Sequence, residues 1–100
     1  MIKHIVMWRI KDLHEGMSKD ELIAKIKREL EGLKSVIPQI QTMEIGRNFN
    51  ELPTSFDVAL YSEFESNEAL GIYQKHPEHV RVAQFIREIR TDAVVVDYET

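Results

Sequence analysis

The two ends of this chain carry strand patterns that are apolar on both faces. In IKHIVMWRI, residues 2–10, His4, Val6, Trp8 and Ile10 fall on one side and Ile5 and Met7 on the other. Near the other end, TDAVVVDYE sets Val94, Val95 and Val96 in succession. A strand with one wetted face alternates apolar and polar residues more cleanly than this. Whatever sheet these strands build must therefore be covered twice, and the helices between them suffice for one side only.

Those helices are legible from their boundaries. SKDE is a capping box in which Ser18 and Glu21 satisfy each other's backbone donors, and behind it Leu22, Ile26, Leu30 and Leu33 recur on one helical face. Pro38 bars continuation, and QIQTMEIG reads as a second strand. RNFNELPTS is turn chemistry, KDLHEGMS is a loop, and FDVALYSEF alternates as a third strand. Ser66 is an N-cap for NEALGIYQK; Pro77 ends that helix and, as a first-turn residue, begins PEHVRVAQFIREI. The order is β-α-β-β-α-β with a split second helix. That is a ferredoxin-like α+β domain over residues 1–100, one antiparallel four-stranded sheet with helices on one side. The second side needs a second copy of the same sheet about a two-fold axis, giving a dimeric α+β barrel.

Composition narrows the partners. The net charge is −4, with 13 basic residues interleaved among 17 acidic ones, so no basic block invites nucleic acid or an anionic membrane. No cysteine is present, which excludes disulfides, thiolate metal sites and a cysteine nucleophile. No apolar run is long enough to span a bilayer, and the N-terminal stretch lacks the features of a signal peptide. The expectation is a cytoplasmic protein.

IKHIVMWRIKD, FDVALYSEFESNEALGIYQKHPEHVRV and VVVDYE together resemble the stress-responsive dimeric α/β-barrel (Dabb) family across nearly the whole chain. The most specific pieces are His4 on the first strand and the Tyr-x-x-His-Pro-x-His run of Tyr73, His76, Pro77 and His79. The resemblance implies a homodimer without a prosthetic group. Plant polyketide cyclases of the olivetolic acid type belong to the same family and close a ring by aldol condensation. Their acid/base histidines match His4 and His79, and their helical tyrosine matches Tyr73.

Such chemistry needs a base for a proton beside a carbonyl and a donor for the oxygen that gains charge. Histidine suits the first task and a tyrosine hydroxyl the second. His79, Val82, Ala83 and Ile86 share one helical stripe, so His79 lies at the edge of the face turned to the sheet, in a first turn whose partial positive charge favours the neutral ring. Asp97 has the parity of Ala93 and Val95 and is the candidate orienter of a ring nitrogen. The catalytic candidates are thus His4, Tyr73 and His79, with Asp97 behind them. The expected ligand is a small carbonyl compound held between sheet and helices.

Each candidate has a plainer reading. His4 fits a buried histidine bonded to a carbonyl, His79 an exposed first-turn residue, and His76 an N-cap at the joint. Tyr73 fits core filling, and Trp8, on the side of His4, fills the pocket. A non-enzymatic interaction dimer with a closed pocket is therefore the alternative, and a cofactor-free monooxygenase-like barrel a second one by fold analogy. His76 and His79 with Glu78 or Asp97 lack a third ligand at metal spacing, so no metal or other cofactor is assigned. His14 is given no role.

Overall fold

A computed structural model describes all 100 residues. Strand β1 (Ile2–Ile10) leads through a short hairpin, β2 (Leu13–His14) and β3 (Met17–Ser18), into helix α1 (Lys19–Gly32) and a 3-10 turn at Leu33–Ser35. Then come β4 (Thr42–Arg47), β5 (Val58–Phe64), α2 (Asn67–Lys75), α3 (Pro77–Ile89) and β6 (Arg90–Glu99). The main sheet runs β4-β5-β1-β6 and is antiparallel at every pairing. This is the ferredoxin-like α+β fold anticipated from the order of elements.

The helices begin where their caps dictate. Both halves of the capping box at Ser18 and Glu21 are formed. Ser66 accepts from the Ala69 N–H at 3.1 Å and starts α2. His76 closes α2 with extended backbone angles, and Pro77 opens α3 at once. Leu22, Ile26 and Leu30 of α1 and Val82, Ile86 and Ile89 of α3 are buried against Ile10, Ile45, Val58, Leu60 and Phe64 of the sheet. That layer is the core.

Two local features depart from the sequence reading. KDLHEGMS, a loop by its composition, forms the β2–β3 hairpin, turning through Glu15 (φ 49°) and Gly16 (φ 81°). Glycine takes such angles freely, but glutamate is an uncommon first residue for a left-handed turn, so the usual Asn-Gly or Asp-Gly signal is missing. Strand β4 starts at Thr42, not Gln39, because after Pro38 the chain makes a turn in which the Ile40 N–H reaches the Ile37 carbonyl at 3.2 Å.

The face of the sheet away from the helices is open. It carries Ile5 and Met7 of β1 beside Tyr61 and Ala59 of β5, with Val96 and Val94 of β6 on the other flank. Met7, Val94, Val96 and Tyr98 are all exposed there. At its edge Lys3 pairs with Glu63, which also accepts from the Tyr61 hydroxyl at 2.9 Å. No helix is long and apolar enough to cross a membrane.

Candidate functional site

Sheet register fixes His4 before any ligand is considered. It lies opposite Ser62 of β5 and Asp97 of β6. The Ser62 hydroxyl donates to the His4 carbonyl at 3.0 Å, and the Nδ1–H of His4 donates to Asp97 Oδ1. Both His4 and Ser62 are buried. A carboxylate on Nδ1 sets the tautomer and leaves Nε2 free of the proton. The Asp97 carboxylate thus meets His4.

The α2–α3 joint supplies the other two groups. Tyr73, in the last turn of α2, is 0 % exposed, and its ring lies 4.3 Å from that of His79 and 6.3 Å from that of His4, centroid to centroid. Phe64 backs it at 4.9 Å. The Nδ1–H of His79 donates to the Gln74 carbonyl at 3.0 Å, one turn below the break, so Nε2 of this ring is also unprotonated in the neutral form. His76 has a different task. Its Nδ1 accepts from the Glu78 N–H at 3.1 Å, making it the N-cap of α3.

These groups enclose a cavity of about 180 Å³ between the sheet and α3. His4, Tyr73 and His79 line it at one end, Val6, Leu60 and Leu30 form apolar walls, and Trp8, Ala93, Arg87 and Arg90 lie towards the other end of the strand and helix. Trp8 was expected to fill this space; it is 7 % exposed and packs as a wall, leaving the cavity beside it. Arg87 continues the α3 stripe of Ala83 and Ile86 and is legible from spacing, whereas Arg90 opens β6 and is not. The Gln74 carbonyl could not have been found, because a backbone acceptor leaves no mark on residue type.

Two buried side-chain polar atoms lack a hydrogen-bond partner, Arg9 Nε and the Tyr73 hydroxyl, and only Tyr73 lines this cavity. Buried polar groups are nearly always paired, so an unpaired one facing a cavity points to a ligand atom as its complement. Burial also pushes its pKa well above the ordinary tyrosine value, so the group is a proton donor at neutral pH.

The pKa of His79 is lowered, first by burial and then by the neighbouring His4 and His76, against the opposing bond to Gln74. The unfolded chain therefore takes up this proton near pH 6.5 and the folded chain only at lower pH. His79's contribution to stability is complete above 6.5 and is lost as pH falls from there through the folded value. We expect an NMR midpoint for His79 below 6.5, and a melting temperature that falls more steeply on acidification in the wild type than in His79→Gln. A midpoint at or above that value would contradict the burial.

The model of the stress-responsive A/B barrel domain (Dabb) family matches residues 2–100. The chain belongs to the Dabb family. A stress-response A/B barrel domain-containing protein from Arabidopsis thaliana is 29% identical over 98 residues, covering 98% of this chain and 46% of its own length. This Dabb domain spans less than half the length of the curated relatives it matches. A dimeric protein of unknown function and ferredoxin-like fold from Bacteroides fragilis superposes with a TM-score of 0.82 at 31% identity, over 99% of this chain and 95% of that one. A hydroxynitrile lyase from Passiflora edulis matches with a TM-score of 0.82 at 21% identity, over 97% and 90% of the two chains, a likeness of fold.

Proposed function

We propose that this Dabb domain works as a homodimer that binds a small carbonyl compound in the cavity and acts on it by histidine acid/base chemistry. The observation that carries the reading is the Tyr73 hydroxyl, buried, protonated and without a protein partner, beside the two oriented imidazoles. In this reading Tyr73 donates to the carbonyl oxygen. His79 Nε2 takes a proton from the adjacent carbon; the C–H electron pair becomes the enolate double bond, and the charge gathers on the oxygen that Tyr73 holds. His79 then returns the proton, or the enolate carbon attacks a second carbonyl as in an aldol closure. His4, its ring set by Asp97 and its backbone carbonyl bonded by Ser62, is the second base or acid on the same ligand.

Size favours a compact substrate. A cavity near 150 Å³ holds benzene, so about 180 Å³ suits a ring with one or two small substituents better than a long poly-β-keto chain. The open, two-histidine cavity also speaks against the closed-pocket interaction dimer. Pairing through the open sheet face is supported by its exposed Met7, Val94 and Val96 and by the dimeric Bacteroides relative.

The test is proton exchange at the methyl carbon of acetophenone in deuterated buffer, followed by NMR together with the imidazole resonances. Exchange above the buffer rate, lost in His79→Ala, with His4 and His79 shifting as the ketone binds, is the expected result. Exchange at the buffer rate with both rings unmoved would remove the proposal.

A further inference from the structure

Beyond the acid/base end of the cavity lies a charge pattern that a neutral ketone does not explain. The protein as a whole is acidic, with a net charge of −4. Of the twelve residues lining the cavity, two are arginines, Arg87 and Arg90, and none is aspartate or glutamate. Neither arginine takes part in an ion pair or a side-chain hydrogen bond, whereas Arg9, Arg47 and Arg81 each have an acidic partner.

The backbone departs from regularity to place one of them. Along β1 and β6, Arg9 faces Asp92, but Ile10 faces Arg90, so Thr91 is an extra residue in β6. Without that bulge Thr91 would stand opposite Ile10, and Arg90 would fall on the open face of the sheet. With it, Arg90 shares the helix side with the buried Ile10. Bulges next to binding sites commonly re-aim a side chain in this way. Arg87, in the last turn of α3, lines the cavity together with Ala83, one turn before it.

Resting on the reading of the pocket given above, we propose that the ligand is a carbonyl compound that also bears a carboxylate, an aromatic or short-chain keto acid. Its carboxylate lies between Arg87 and Arg90 while its carbonyl reaches Tyr73 and His79. The planar forks of arginine suit a carboxylate, and the apolar walls of Trp8 and Leu60 suit the ring or chain between the two ends. The arrangement fixes which end of the ligand enters first, because a carboxylate gains nothing beside His4, whose neighbour is Asp97.

Matched probes test this: 4-acetylbenzoate and 4-methylacetophenone, alike in shape and different in charge, titrated at low and high salt. The acid should bind roughly tenfold more tightly at low salt, and salt should narrow the difference. In Arg87→Gln, Arg90→Gln the preference should collapse to within about twofold, and in Arg87→Lys, Arg90→Lys part of it should return. Melting curves of both variants confirm that the fold is kept. If the neutral ketone binds and moves His79 but the acid binds no better, this inference fails while the acid/base reading stands. If neither ketone binds, both fall.

Discussion

Replacing Val96 with aspartate is expected to yield a monomer at micromolar concentration. Val96 lies opposite Ile5 on the open face of the sheet and is half exposed in the single chain. In one protomer alone a carboxylate there stays in water, so the fold should survive. Packed against a second sheet it becomes a buried charge without a partner, and the effective penalty is several kcal/mol for each protomer. A two-fold axis applies that penalty twice. Light scattering should show the wild type at twice the chain mass and Val96→Asp at the chain mass. Ile72→Asp, on the exposed side of α2, should remain at twice the mass. If Val96→Asp keeps the wild-type mass, the contact lies elsewhere.

Tyr73→Phe is expected to separate stability from function. The ring stays, so its contacts with Phe64 and His79 stay. What goes is a buried hydroxyl without a protein partner, whose desolvation costs about 1–3 kcal/mol. The melting temperature should hold or rise. Exchange at the acetophenone methyl should fall by about 10²-fold or more, the usual loss when an oxyanion donor is removed. Tyr73→Ala is the contrast, since emptying so buried a site costs about 3–5 kcal/mol whatever the hydroxyl does. A Tyr73→Phe variant that melts early and exchanges normally would make the hydroxyl structural.

Much of this molecule was legible because local chemistry and tertiary demand agree. Ser18, Ser66 and Pro77 mark helix starts that the fold keeps. Parity placed His4 with Val6, Trp8 and Ile10, and that is the side the helices cover. Period alone put His79 on the stripe of Val82 and Ile86, and the parity of β6 put Asp97 within reach of a ring. What stayed hidden depends on backbone irregularity. The β2–β3 hairpin turns through a glutamate at positive φ, which no propensity favours. Arg90 reaches the cavity only through the Thr91 bulge, and a strict two-residue alternation assigns it to the wrong face. Helix-end charge and partial burial are both expected from the sequence to disfavour the protonated His79 ring, and burial is the largest cause of its lowered pKa.

The alternation along β1 also divides labour between evolutionary tasks. His4, Val6 and Trp8 shape the cavity, while Ile5 and Met7 belong to the face we assign to a second copy. No side chain of the strand serves both. On the proposed function, residues at even positions could be exchanged, and with them the proposed ligand, without disturbing the odd positions proposed to hold two copies together. An inserted or deleted residue would exchange the two sets at a stroke. Such a strand would tolerate substitution and resist length change.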